Sequence, residues 1–225
     1  MTINIDEVKR CKQYLNNINR YELAALTFTD DAGNFIKPTQ EQIEEWRFTG
    51  LDNVDFIMSL DRAKKMRPLY IFDLDGTLAL IDHRRPILDD LSNPNRWDDF
   101  YRACVDDKPN KPIIAIAEKL FYCGADIKIF SGRSNLVYKE TTEWIFLHLY
   151  CMRELGDFFD QNSILAKMRP HGSSTPDQVL KRQWYEELSQ QDKDRLVCVF
   201  DDRQKVVDMW RSIGVTCLQF APGDF

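Results

Sequence analysis

What this chain of 225 residues lacks narrows its class before any motif is read. No apolar stretch approaches the roughly 20 residues that a membrane-spanning helix needs. The opening Met1-Thr2-Ile3-Asn4-Ile5-Asp6 is without the basic-then-apolar layout of a secretory leader. A cytoplasmic protein with no membrane partner is the expectation. The six cysteines (Cys11, Cys104, Cys123, Cys151, Cys198, Cys217) are scattered, with no C-x-x-C pair among them. Neither a zinc site nor a disulfide framework is expected from that spacing. Positive charge is also short: 30 Lys and Arg against 36 Asp and Glu leave a net charge of −6. That balance argues against broad polyanion binding, while a local basic pocket on an acidic protein can still receive a nucleic-acid end. Internal repeats and low-complexity tracts are absent. What remains is ordinary globular material, 44% hydrophobic and 29% charged, enough to bury an α/β core.

Two parts can be read along the chain. Residues 1–66 are polar and densely charged and read as a small, mainly helical N-terminal appendage. Apolar residues recur at helical spacing from Ile5 to Leu26 (Ile5, Val8, Cys11, Leu15, Ile18), and Thr39-x-x-Gln42 reads as a capping box for a helix through Trp46. A short strand is expected near Leu26-Thr27-Phe28 and a turn at Gly33. The appendage reads as a packing element, with a substrate-gripping or dimerising role as the alternative; a homo-oligomer is left open.

From 67 to 225, short apolar runs alternate with amphipathic stretches. The runs are Leu69–Phe72, Ile127–Phe130, Ile164–Ala166, Leu196–Phe200 and Cys217–Phe220, and helices are expected around Ile113–Phe121, Leu136–Tyr150, Pro176–Leu188 and Gln204–Ile213. Thr175-Pro176 reads as an N-cap followed by proline at the first helical position. This alternation predicts an α/β fold, a Rossmann-like parallel sheet with helices on both faces. In such sheets, reactive side chains gather beyond the carboxyl ends of the strands.

Acidic pairs stand at two of those ends. Asp73 and Asp75 follow the first core strand in Phe72-Asp73-Leu74-Asp75-Gly76-Thr77, and Asp201-Asp202 follow Leu196–Phe200. Like charges this close repel, and a hard cation such as Mg²⁺ relieves that cost through carboxylate and carbonyl oxygens. Asp73, Asp75, Asp201 and Asp202 are therefore the candidate metal ligands. Gly76 permits a sharp turn, and Thr77 offers a hydroxyl to an anion. Ser131-Gly132-Arg133, after the strand Ile127–Phe130, offers a hydroxyl, a flexible backbone and a guanidinium to phosphate oxygens. Lys181 shares a helix face with Asp177 four residues earlier, the spacing of an ordinary ion pair or of an oriented phosphate-binding lysine.

These elements, in this order, resemble the haloacid dehalogenase (HAD) phosphatase superfamily, and within it the 3′-phosphatase domains of bacteriophage polynucleotide kinase/phosphatases. The resemblance spans about residues 68–225, through Phe200-Asp201-Asp202-Arg203-Gln204-Lys205-Val206-Val207-Asp208-Met209-Trp210-Arg211 to Pro222-Gly223-Asp224-Phe225. The kinase half of such enzymes needs a G-x-x-x-x-G-K-[ST] loop, which is absent here, so kinase activity is not expected. The resemblance implies Asp73 as a nucleophile that becomes an aspartyl-phosphate, and Asp75 as general acid and then base. Asp75 is expected to hold its proton more tightly than Asp73. Asp201 and Asp202 match the acidic pair that binds Mg²⁺. Thr77, Ser131, Gly132 and Lys181 would hold the phosphate, with Asp177 orienting Lys181, and Arg133 matches a required arginine. Arg84, eleven residues after Asp73, matches another, with a slip to Arg85 left open; His83 beside it reads as a surface histidine. For a phage-encoded enzyme the compartment would be the host cytoplasm.

The interval from Thr77 to Pro112, punctuated by Pro86, Pro94, Pro109 and Pro112, leaves room for a flap or a short helix near Arg96–Val105 and little for a folded cap. A second cap between Arg133 and Asp177 is not expected either. Such an open site suits a polynucleotide end. The flap's Trp97, Phe100 and Tyr101 read as packing residues, the alternative being a base-stacking platform with Arg96 or Arg102 touching the backbone. The expected substrate is a 3′-phosphate, with 2′,3′-cyclic phosphate as a further candidate, at DNA or RNA ends in repair. Small phosphoesters such as mononucleotides, or a non-catalytic binding module, are the competing readings.

Overall fold

The computed structural model describes residues 28–29, 35–36, 67–149 and 164–221. The chain divides into two compact units, Met1–Arg67 with Tyr122–Ala125, and Pro68–Phe121 with Asp126–Phe225. In the first, β1 (Phe28–Thr29) and β2 (Phe35–Ile36) pair antiparallel, with Phe28 opposite Ile36. That is slightly beyond the strand expected near Leu26–Phe28. The expected helices between Ile5 and Trp46 and the turn at Gly33 lie outside the described residues, as does the ending Pro222–Phe225.

In the second unit the strands are β3 (Leu69–Phe72), β4 (Ala79–Leu80), β5 (Lys108–Pro109), β6 (Asp126–Ser134), β7 (Leu165–Arg169), β8 (Leu196–Phe200) and β9 (Cys217–Leu218). The helices are α1 (Arg96–Arg102), α2 (Lys111–Tyr122), α3 (Tyr138–His148), α4 (Asp177–Glu186), α5 (Gln190–Arg195) and α6 (Gln204–Ser212). Five strands form one parallel sheet in the order β7-β6-β3-β8-β9. Strand β3 lies in the middle, which explains its Leu-Tyr-Ile-Phe composition: a central parallel strand is covered on both faces.

Successive strand residues point to opposite faces. Ile71, Phe130 and Val199 pack with Leu180 and Trp184 of α4 and Val206, Val207 and Trp210 of α6 in one buried core. Phe72 and Phe200, next along their strands, face the other way and stack with centroids 4.4 Å apart.

Between β4 and β5, which pair antiparallel through Ala79–Pro109 and Leu80–Lys108, residues 81–107 form an excursion. It holds a 3₁₀ turn (Arg85–Asp89), α1 and a second 3₁₀ turn (Ala103–Asp106). The flap with a short helix near Arg96–Val105 is thus present, and the excursion has too few residues for a core of its own. Residues 150–163, within the other expected cap-free interval, lie outside the described residues.

Two local expectations need correction, and one helix is new. Ser131-Gly132-Arg133 does not follow its strand but lies inside it, because β6 runs on to Ser134 with register irregularities against β7. Pro176, not Thr175, occupies the N-cap of α4, and no side chain caps it; the Thr175 oxygen instead accepts from the Ser173 hydroxyl at 3.1 Å. Helix α5 was unanticipated, although its signal is present: Ser189 Oγ accepts from the Asp192 amide at 3.0 Å, an N-cap three residues ahead of an acid.

Candidate active site

Parallel register brings the acids together. Phe72 pairs with Phe200, so the residues after them emerge side by side at one edge of the sheet. The Asp73 amide donates to the Phe200 carbonyl at 2.9 Å, and the Asp201 amide to the Leu218 carbonyl at 3.3 Å. Asp73, Asp201 and Asp202 are all buried, and each offers a carboxylate oxygen within 4.8 Å of the others. Lys181 reaches them from α4: its Nζ donates to Asp73 Oδ1 at 2.5 Å and to Asp201 Oδ2 at 2.8 Å. Asp177, one turn earlier, lies 3.7 Å from that Nζ.

The charges around these acids do not balance. Asp177 has two further cations beside it, Arg169 at 3.3 Å and Arg203 at 3.6 Å. That leaves the ammonium of Lys181 against three buried carboxyl groups, which would carry a surplus of two negative charges if all were ionised. The acids respond as buried, crowded groups do. Burial above all, opposed by Lys181 and reinforced by Asp201 and Asp202, holds the Asp73 carboxyl well above the usual carboxylate range. Asp201 is raised by burial against the pull of Lys181. Asp202 is pushed up to about 7 by burial and by Asp201. Burial would lower Lys181, but Asp201 and Asp73 keep its proton bound well above the ordinary lysine value. A hard divalent cation matches both the donor set and the surplus.

Asp75 belongs to a second, balanced group. Its Oδ1 accepts from Arg84 Nη2 at 2.8 Å, from Arg133 Nε at 3.0 Å and from Arg133 Nη2. Both guanidiniums also grip Asp107: Arg84 Nε to Oδ1 at 2.7 Å, Arg84 Nη2 to Oδ2 at 2.9 Å, and Arg133 Nη2 to Oδ2 at 2.6 Å. Two arginines thus face two aspartates. Burial alone would push Asp75 up, but Arg133 and Arg84 outweigh it and bring Asp75 down to about 2. The expected ranking of the two acids is therefore reversed, because the arginines are bonded to Asp75 and not to Asp73. The Asp75 carboxylate is also committed to those arginines and stands apart from the three-carboxylate cluster.

Arg84 is fully buried and Arg85 is exposed. His83 is exposed as expected, with Nε2 3.3 Å from the Ala103 carbonyl.

Other anticipated residues are present with altered partners. Thr77 is fully buried, and its hydroxyl donates to Asp202 Oδ1 at 3.5 Å instead of facing open space. Ser131 is fully buried, and its Oγ accepts from the Arg133 amide at 3.2 Å. Gly76 has φ +89°, and a Cβ there would stand 2.2 Å from Asp202 Oδ2, so this turn admits only glycine. Gly132 is needed for space: a Cβ would lie 2.4 Å from Asp177 Oδ1. Its carbonyl accepts from Arg169 Nε at 2.7 Å.

Asp107, Arg169 and Arg203 were not singled out in the sequence. Arg203 follows the acidic pair directly and was legible by position. Asp107 and Arg169 carry no strand-end signal of that kind.

Above the acids lies a cavity of about 640 Å³. Its floor includes Asp73, Asp75, Lys181, Asp201 and Asp202, and its walls come from α1 and from the segment leading into α4.

Residues 67–225 match the family described as the polynucleotide kinase PNKP phosphatase domain, and the chain belongs to that family. It is a HAD-type phosphatase domain, a hydrolase on an α/β fold. A protein of Autographa californica nuclear polyhedrosis virus, assigned as a bifunctional polynucleotide kinase/RNA ligase, is 26% identical over 170 residues, which is 75% of this chain and 21% of that protein. A solved Pnkp1/Rnl/Hen1 complex contains a chain that is 26% identical with a TM-score of 0.53, covering 71% of this chain and 48% of that one. A second structure, of the Pnkp1/Rnl/Hen1 RNA repair complex, shares the fold at 22% identity and a TM-score of 0.52, covering 86% of this chain and 58% of that one. The chain thus spans between a fifth and three fifths of these relatives' lengths. Among the described residues, no helix is long and apolar enough to cross a membrane.

Proposed function

We propose that this domain is a Mg²⁺-dependent phosphomonoesterase that removes 3′-phosphate from nucleic-acid ends through an aspartyl-phosphate on Asp73. The observation that carries the reading is the segregation of charge: a cluster of Asp73, Asp201 and Asp202 short of two positive charges, beside a balanced group that holds Asp75. Asp73, Asp201 and Asp202 would hold the ion through their carboxylates, and Asp75 would add only its main-chain carbonyl. A bound Mg²⁺ would neutralise these acids and draw charge from phosphoryl oxygens.

This chain's own groups account for the rest. An Asp73 carboxylate oxygen attacks phosphorus while Lys181 offsets the charge of nucleophile and phosphate; the P–O bond to the sugar breaks. The leaving oxygen takes a proton from Asp75, which must first have taken that proton up from solvent. In the state described here Asp75 is ionised, the form of a base. Arrival of an anionic phosphate beside it raises its proton affinity and competes for Arg84 and Arg133. Water then cleaves the acyl phosphate, giving its proton to Asp75 and restoring Asp73. The RNA-repair context of the relatives favours RNA ends over DNA ends as substrate.

Phosphate release from 3′-phosphorylated RNA, 3′-phosphorylated DNA and free nucleotides, with Mg²⁺ and with chelator, tests the reading. Wild type should prefer the polymer ends and need the ion, and Asp73→Asn should lose at least about 10³-fold in kcat. An Asp73→Asn protein of unchanged activity excludes the covalent route, and a preference for free nucleotides excludes the end-processing role.

A further inference from the structure

The flap's aromatics divide into two kinds. Phe100 is core: it is 4% exposed, and the guanidinium of Arg84 sits over its ring, 4.1 Å from the centroid. Trp97 is 48% exposed and lines the cavity, as does Tyr101 one turn later on the same helix face. Trp97 and Tyr101 have centroids 6.1 Å apart with planes tilted by 33°. Trp97 also meets Phe100 edge-on at 6.0 Å and 82°. A run of contacts therefore leads from an exposed ring, through Phe100 and Arg84, to the carboxylate of Asp75.

A lone exposed tryptophan is unremarkable on a protein surface. Trp97 differs because it stands in the wall of the cavity that holds the reactive acids, and because its ring is in contact with two further aromatic rings. With phosphorus at Asp73, whatever the phosphate esterifies extends along these walls. The lining also holds polar groups, including His171 and Ser173, and the exposed Lys205. A flat aromatic face in a cavity that also offers polar and cationic groups suits a nucleoside, whose base has a π-face and whose backbone is polar and anionic.

We propose that Trp97, backed by Tyr101, is the stacking surface for the terminal nucleobase of the leaving group, and so determines specificity for a nucleoside over other phosphate esters. The proposal rests on the nucleic-acid-end reading and adds a subsite to it. Because every base has a π-face, the contact favours no particular base.

The test compares three substrates: an oligonucleotide 3′-phosphate, the same oligonucleotide with an abasic terminal residue, and glycerol 2-phosphate. In Trp97→Ala the ratio of kcat/KM for the base-bearing end to that for the abasic end should fall roughly 5- to 100-fold. In Trp97→Phe most of the ratio should persist. An unchanged ratio in Trp97→Ala, with or without a fall common to both ends, overturns the subsite and makes Trp97 a support of the flap. If wild type prefers both polymer ends to glycerol 2-phosphate but treats them alike, the subsite fails and the end-processing role stands. If wild type handles glycerol 2-phosphate as well as either end, the end-processing role fails and the subsite with it.

Discussion

Arg84 and Arg133 are both fully buried, and two such guanidiniums tolerate each other because Asp75 and Asp107 each accept hydrogen bonds from both. Asp107 is fixed in turn by its chain, since its carbonyl accepts from Trp144 Nε1 at 2.7 Å. Replacing Asp107 by Asn removes one of two compensating charges and leaves the arginines sharing Asp75. We expect a stability loss of about 3 kcal/mol in urea denaturation, and at least a roughly tenfold fall in kcat as the arginines reorient. A variant of full stability and full kcat would show that Asp75 alone orders both arginines. At this scale the sequence was informative where a residue abuts a strand end: Asp73, Asp75, Asp201 and Asp202 declared themselves by position. The relative acidity of Asp73 and Asp75 was not legible, because it is decided by partners nine and 58 positions from Asp75 and by burial that no local pattern records.

At the scale of elements, β6 and α4 meet in a tight joint in the site. Gly132 lies in the strand, Asp177 opens the helix, and a methyl group on the former would press into the carboxylate of the latter. Gly132→Ala should shift the first turn of α4, and with it Lys181, away from Asp73. The expected cost is about 1–3 kcal/mol, as for other overpacked sites. Phosphate release should fall at least about tenfold, checked by thermal unfolding and steady-state kinetics on one preparation. Wild-type values for both would mean that the helix start yields without moving Lys181. The sheet was readable because its strands are continuous apolar runs and its helices keep a 3.6-residue period. The extension of β6 through Ser131-Gly132-Arg133 was not, since its polar residues are held in the strand by tertiary pairing with β7.

For the whole molecule, a cation held by the acid cluster as proposed would link its binding to folding. Ion bound to the folded form alone should raise the thermal midpoint as Mg²⁺ is titrated in, with little shift in Asp202→Asn. In chelator the sign follows from the raised Asp202 carboxyl. A carboxyl with folded pKa of about 7 favours the folded state while protonated, and that contribution is lost as pH climbs from the ordinary carboxylate value through about 7. Metal-free Asp202→Asn should thus be more stable than metal-free wild type at pH 8, with the difference shrinking toward pH 4, read by urea unfolding at both. Equal stability at pH 8 would mean that the ionised acid is well solvated in the folded chain. The excursion between β4 and β5 carries a different consequence for the molecule. Its two ends are clasped together, as in an interchangeable cassette, yet Arg84 lies near its entrance and Asp107 at its exit. If Trp97 reads the ester as proposed, a graft that exchanges the middle, α1 with Trp97 and Tyr101, should re-address the enzyme to another ester; one that exchanges the whole excursion also removes the buried partners of Asp75 and Arg133.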